Sequence, residues 1–136
     1  MADRADIAAA EGGSETPQFV HLRVHSAFSL LEGALPLKKI LSKAVADSQP
    51  AIAITDTNNL FVALEFAQKA VGEGLQPIIG CQVSIDMEDQ AEDRRGGHQL
   101  AKLPAIVLLA STAEGYERLV DLISRAYLGG SEGHQS

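Results

Sequence analysis

Apolar and polar residues alternate along residues 19–25, the first patterned stretch of the chain. An alternation with a period of two predicts a β-strand with one apolar and one polar face. Val20, Leu22 and Val24 fall on the apolar face, and His21, Arg23 and His25 fall on the polar one. Residues 1–18 show neither a helical nor a strand period and are predicted to form a flexible extension.

Three amphipathic helices are predicted where apolar residues recur every three or four positions. The first helix starts at Pro36, the second ends at a glycine, and the third follows a capping-box sequence at residues 111–114. Their predicted buried positions are Leu37, Ile40, Leu41, Ala44 and Val45, then Leu60, Ala63, Leu64, Ala67, Ala70 and Val71, and finally Leu119, Leu122, Ile123, Ala126 and Tyr127.

Further strands are predicted over residues 51–55, 77–85 and 103–110. Two of them, 51–55 and 103–110, are apolar throughout, which is typical of parallel strands covered by helices on both faces. The polar residues 86–99 form a predicted insertion between strands, and residues 131–136 form a polar tail. The alternation of strands and helices predicts an α/β fold with a mainly parallel sheet, either open or the first half of a barrel.

Composition limits what the chain can do. Its 136 residues suit one domain, and 46% hydrophobic residues are enough for a packed core. A formal charge of −7 argues against binding nucleic acid through this segment alone. The single cysteine, Cys81, together with the lack of a signal sequence or a membrane-spanning run, predicts a cytoplasmic protein with no membrane partner.

Polar residues gather where strands are predicted to lead into loops, which is where ligands bind in parallel α/β folds. The first cluster joins His21, Arg23, His25 and Ser26 to Glu32, the second spans residues 55–59, and the third, residues 80–82, lies within its strand. Imidazole and carboxylate groups at such positions could hold a metal ion. Alternatively, His25 only hydrogen-bonds a neighbouring loop and Asp56 only caps the following helix.

Three blocks of sequence, FVHLRVHSAFSLLEG (19–33), PAIAITDTNNLFVALEFAQKAVGEGLQPIIGCQVSI (50–85) and LASTAEGYERLVDLISRAYLGG (109–130), closely resemble one known family. The family is the PHP (polymerase and histidinol phosphatase) domain, in the form found in bacterial DNA polymerase III alpha subunits. The resemblance implies a distorted barrel of about seven strands. This chain would then hold a partial PHP domain over residues 19–130.

The resemblance also locates the metal-ligand positions of the family. Its His-x-His motif corresponds to Arg23 and His25, and Glu32 follows where related subunits commonly have Asp. Its Thr-Asp-His motif corresponds to Thr55-Asp56-Thr57, and its Gly-x-Glu motif to Gly80-Cys81-Gln82. Arg23, Thr57 and Gln82 have lost ligand character, because a guanidinium only donates hydrogen bonds and the other two carry no negative charge.

These substitutions predict a vestigial metal site, with Arg23 paired to Glu32 or Asp56. Zn²⁺ or Mn²⁺ is not expected there. The parent subunit would synthesise DNA with Mg²⁺ held in a separate domain, and the PHP segment would act as a scaffold that docks a proofreading exonuclease subunit. DNA would be reached only through the assembled polymerase. The alternatives are a metal-dependent phosphoesterase or 3′–5′ exonuclease, which would use His25, Glu32 and Asp56, and a stand-alone binding module.

Overall fold

A computed structural model describes residues 19–29, 32–85 and 104–129. The elements are, in chain order, α1 (Leu37–Ala46), β1 (Ala51–Ile54), α2 (Ala63–Gly72), β2 (Gln76–Ser84), β3 (Ala105–Leu109) and α3 (Ala113–Gly129). The predicted extension at 1–18, the insertion at 86–99 and the tail at 131–136 lie outside the described residues. No helix in the described ranges is long and apolar enough to span a bilayer.

The three strands form one sheet in the order β1-β2-β3. β1 and β2 are parallel and joined by the crossover helix α2, which confirms the α/β class. β2 and β3 are antiparallel, so the sheet is mixed and the expected parallel direction is wrong for β3. Two neighbouring parallel strands need a crossover connection, which is usually a helix, whereas an antiparallel pair needs no crossover. The sequence of residues 86–99, between β2 and β3, carries no helical pattern, which agrees with the antiparallel pairing.

Residues 19–24 are extended but do not form the predicted strand. Their carbonyl groups accept from β1 and the residue after it: Ala53 N donates to His21 O, and Thr55 N to Val24 O. The acceptors are three residues apart while the donors are two apart. One extra residue is therefore accommodated, as in a β-bulge, and this interrupts the regular ladder. Of the apolar face predicted from the alternation, Leu22 is exposed and Val24 packs against the core.

The core lies between the helices and the β1-β2 pair. α1 buries the predicted positions Leu37, Ile40, Leu41 and Ala44. α2 buries Ala63, Phe66 and Ala70, whereas Leu64 and Val71, which were predicted to be buried, are 71% and 65% exposed. Fully buried Phe66 selects this face because it removes far more apolar surface from water than a leucine at the helix start.

β3 and α3 are the least buried elements of the described fold. Ile106 and Leu109 of β3 are 45% and 40% exposed, although the strand is apolar throughout. α3 buries Leu119 alone. Its start is one residue later than the capping-box sequence predicts, because the hydroxyl of Thr112, not that of Ser111, accepts from the backbone of Gly115.

Candidate functional site

The polar clusters predicted from the sequence meet where β1 ends. Asp56 and Thr57 come directly after β1, and Gln82 lies beside them on the parallel strand β2, with Thr57 and Gln82 forming an isolated parallel bridge. The loop that carries His25, Ser26, Ser29 and Glu32 covers this end of the two strands. A hydrogen-bonded network then joins the three segments, and Asp56 is at its centre.

The Asp56 carboxylate is buried, with 2% of the residue exposed, and both of its oxygens are used. Oδ1 accepts from the backbone N–H of Ser26 at 2.7 Å and from the Ser29 hydroxyl at 2.6 Å. Oδ2 accepts from the Ser26 hydroxyl at 2.6 Å. Such short charge-assisted hydrogen bonds hold a carboxylate in one orientation. Asp56 therefore fastens the covering loop to the end of β1 and is not a helix cap.

The covering loop is tightly wound around Ser29. The backbone N–H groups of Glu32 and Gly33 both donate to the Ser29 carbonyl, at 3.0 and 2.9 Å. Gly33 approaches the Ser26 carbonyl so closely that any Cβ at this position would overlap that oxygen. Glycine is therefore required at position 33 for a steric reason. The close approach of Gly33 to the Ser26 carbonyl also sets the position of the preceding residue, Glu32.

A second series of hydrogen bonds runs from Arg23 to Glu32. Arg23 Nε donates to Gln82 Oε1 at 2.9 Å, and Gln82 Nε2 donates to Thr57 Oγ1 at 3.4 Å. The Thr57 hydroxyl in turn donates to Glu32 Oε2 at 2.6 Å. We call this series the Arg23–Glu32 chain. It connects a cation to a carboxylate through two neutral side chains, so each polar group finds a partner.

Within the described residues, Arg23 makes no direct ion pair with Glu32 or Asp56. Its hydrogen bond goes to the amide of Gln82 instead. The expected salt bridge from Arg23 is therefore wrong, because Asp56 is already saturated by two serines and Thr57 occupies a Glu32 oxygen.

His25 links the two parts of the network. Its Nδ1 lies 3.4 Å from the Ser29 hydroxyl, and its Nε2 lies 3.8 Å from Glu32 Oε2. The single hydrogen of Ser29 points to Asp56, so Nδ1 must carry the hydrogen of any bond between His25 and Ser29. This arrangement also excludes Ser29 as a nucleophile activated by His25, because its hydroxyl is buried and already donates its hydrogen to Asp56.

The two remaining predicted polar residues serve other contacts. The Thr55 hydroxyl is buried and bonds both backbone groups of Val24, which fixes residues 19–24 beside β1. The ring of His21 packs edge-on against Phe19, with centroids 4.7 Å apart, and its backbone N–H donates to Gln49. His21 does not join the network around Asp56.

The oxygen atoms at the centre of the network are engaged by hydrogen-bond donors. Among the described residues, no three His, Cys, Asp or Glu side chains converge as a metal-binding group. The Asp56 oxygens face donors, and the oxygen of Gln82 faces a guanidinium. Mg²⁺ and Mn²⁺ prefer oxygen ligands, and in the described network the oxygens of Asp56 and Gln82 already accept hydrogen bonds.

Ser29 is a functional residue that the sequence interpretation missed, and Ser26 was placed in the first polar cluster without a role. Their signal was the spacing in His25-Ser26-Ala27-Phe28-Ser29, which places two short hydroxyl side chains three residues apart in a loop. Serines so spaced commonly hydrogen-bond to neighbouring polar groups in turns. Nothing in the spacing identifies a carboxylate 27 residues further along the chain as their partner.

Cys81 is buried directly behind the network. Its thiol donates to the Asp56 carbonyl at 3.2 Å, and the residue is 0% exposed. Burial raises the pKa of the Cys81 thiol above its ordinary value of 9.0, and the Asp56 carboxylate acts in the same direction. Cys81 is therefore a protonated packing residue and not a nucleophile.

We expect the Cys81 thiol to resist labelling in the folded chain and to react fully in urea. Since folding raises its pKa, the protonated thiol contributes stability below pH 9.0, and this contribution is lost as the pH rises above that value. Labelling with a chromogenic disulfide at pH 8, with and without urea, measures the accessibility of the thiol. The midpoints of urea unfolding between pH 8 and 10 measure the pH dependence of stability. Rapid labelling of the folded chain would contradict the burial of Cys81.

The network lies where β1 ends beside the parallel strand β2, which is the usual place for a ligand site in an α/β domain. The family comparison is more specific: the chain belongs to the PHP domain family, whose model matches residues 21–136. The amidohydrolase from Chromobacterium violaceum shares the fold, with a TM-score of 0.52 and 23% identity over 79% of this chain and 34% of that one. The likeness is consistent with a portion of a PHP-type barrel.

Curated relatives include DNA polymerase III subunit alpha from three bacteria. Identity is 45% for the Buchnera aphidicola protein, 42% for that of Thermus aquaticus and 41% for that of Caulobacter vibrioides. The matches cover 83–88% of this chain. The chain spans only 9–10% of the length of these relatives.

Proposed function

We propose that the chain is the PHP segment of a bacterial replicative DNA polymerase alpha subunit. The match to alpha subunits from distant bacteria supports this assignment. The longer polypeptide would extend a primer 3′ end with Mg²⁺ bound in another domain, and these 136 residues would not polymerise by themselves. Residues 19–130 would be the PHP part of that polypeptide.

Within the polymerase, the segment would act as a scaffold and would help to dock a proofreading exonuclease subunit. The observation that carries this proposal is the Arg23–Glu32 chain. Positions that hold a cation in metal-dependent relatives here bond to one another, so the guanidinium supplies a fixed positive charge where an ion would sit. A site built in this way would stabilise three segments of the chain, which suits a scaffold.

A metal titration tests the vestigial site. We expect no change in the amide NMR signals of His25, Glu32 and Asp56 when the diamagnetic ions Zn²⁺ or Mg²⁺ are added at millimolar concentration. The matched variant, Arg23→His with Thr57→His and Gln82→Glu, restores the ligand types of the family and should respond to Zn²⁺. A saturable response confined to these three residues in the unaltered chain would contradict the proposal.

A metal-dependent phosphoesterase or 3′–5′ exonuclease is the second candidate function. The observation in its favour is that His25 and Glu32 lie within 3.8 Å of each other and in the same network as Asp56. Metal-stimulated release of nucleotides from a DNA 3′ end, abolished by Asp56→Asn in the longer polypeptide, would establish it over the scaffold.

A further inference from the structure

An apolar groove that the network does not use lies between α3 and the loop that precedes α2. Its volume is about 510 Å³. We call it the α3 groove, and the lining residues that matter here are Leu60, Phe61, Tyr116, Val120, Ile123 and Tyr127. None of its lining residues is charged.

Two aromatic residues of the α3 groove are largely open to solvent. Phe61 is 69% exposed and Tyr127 is 62% exposed, and the ring of Phe61 is extended by edge contact with Phe28, itself 52% exposed. Aromatic side chains bring roughly 150–250 Å² each to an interface, so a continuous patch of this kind marks a contact surface.

α3 supplies a regular stripe to the groove. Tyr116, Val120, Ile123 and Tyr127 follow one another by four, three and four residues, which places them on one helical face. Four of the five charged residues of α3 form two ion pairs, Glu114 with Arg118 and Asp121 with Arg125, on the side of the helix opposite the stripe. α3 is 17 residues long and buries only Leu119 among its described side chains.

We propose that the α3 groove seats an apolar helix from the part of the longer polypeptide that lies outside these 136 residues. This inference rests on the proposed function. The family match continues through residue 136, and the relatives are about ten times longer than the portion matched here. In the amidohydrolase of similar fold, about two-thirds of the chain has no counterpart in this one.

A helix suits the groove better than a strand or a nucleic acid. The stripe offers ridges three and four residues apart, into which the side chains of another helix can pack, and the lining residues offer no charge to a phosphate. A second copy of this chain would use the same surface and is the main rival.

Tyrosine nitration tests the proposal directly, because Tyr116 and Tyr127 are the only tyrosines of the chain and both line the groove. Tetranitromethane is applied to the 136-residue chain and to the longer polypeptide, and nitration is located by mass spectrometry. We expect Tyr127 to react in the 136-residue chain about as fast as in urea, and at least about tenfold more slowly in the longer polypeptide. Arg118→Tyr, on the opposite face of α3, reports whether the reagent reaches this helix.

Three outcomes would overturn the proposal. Nitration of Tyr127 at the denatured rate in the longer polypeptide would show that nothing covers the groove. Protection in the 136-residue chain that grows with its concentration would assign the groove to a second copy, and protection at every concentration would assign it to residues of this chain itself. Primer extension by the longer polypeptide is measured separately, so an error in the proposed function is distinguishable from an error here.

Discussion

Replacing Leu41 with Asp unfolds the chain, whereas the same change at Leu64 leaves it folded. Leu41 is 3% exposed in α1 and belongs to the central apolar cluster, while Leu64 is 71% exposed at the start of α2. A carboxylate at position 41 would lose its water without gaining a partner, at a cost of several kcal/mol. That cost is comparable to the whole stability of a small domain, about 5–15 kcal/mol.

Leu64→Asp is the matched control because it makes the same chemical change in a helix of the same length. An acidic residue in the first turn of α2 also interacts favourably with the helix dipole. Urea unfolding followed by far-ultraviolet circular dichroism measures both variants. We expect Leu64→Asp to shift the free energy of unfolding by less than about 0.5 kcal/mol. Unfolding by Leu64→Asp, or a retained cooperative transition in Leu41→Asp, would contradict the assigned core.

The sequence was sufficient for the helices and the parallel pair because their signals are local. Apolar spacing located α1 almost to the residue, and the apolar run after Pro50 located β1. The buried face of α2 was misjudged because Leu60, Ala63, Leu64 and Val71 also form a helical stripe. Which of two overlapping stripes is buried depends on the sheet beneath them, and there Phe66 fills the space.

The direction of β3 and the start of the fold could not be predicted from periodicity. A period of two marks residues 19–25 as extended but cannot show that an extra residue interrupts their pairing with β1. Likewise, an apolar run identifies β3 as a strand but is silent on whether its neighbour is parallel. Both properties are set by partners distant in sequence.

The candidate site was predicted in outline and not in its bonding. Thr57, Gln82, Arg23 and Glu32 were expected near one another from the family resemblance, and the structure joins them in one hydrogen-bonded chain. The route of that chain depends on side-chain reach, because Gln82 lies between Arg23 and the carboxylates. The role of Asp56 as the acceptor of three loop hydrogen bonds requires the closure of the serine loop, which no local pattern encodes.

Asp56→Ala is expected to destabilise the chain by about 3 kcal/mol. The change removes the acceptor of three hydrogen bonds that come from Ser26 and Ser29, both of them buried. The two hydroxyl groups can rotate towards other acceptors, but the backbone N–H of Ser26 is fixed and would stay buried without a partner. A buried donor left unsatisfied costs about 1–3 kcal/mol, and the loss of a charged acceptor adds to this.

A double-mutant cycle separates the loop bonds from the general cost of removing a buried side chain. If Asp56 acts by fastening the serine loop, Ser26→Ala combined with Asp56→Ala should cost clearly less than the sum of the two single changes, by about 1 kcal/mol or more. Asp47→Ala, at an exposed aspartate after α1, is the control and should change the free energy of unfolding by less than about 0.5 kcal/mol. Strict additivity of Ser26→Ala and Asp56→Ala would show that the carboxylate does not hold the loop.

Because that loop also carries His25 and Glu32, release of the loop in Asp56→Ala should broaden the amide NMR signals of both residues while those of α1 stay sharp. This pattern would identify Asp56 as the residue that fastens the loop to the end of β1 through its three hydrogen bonds.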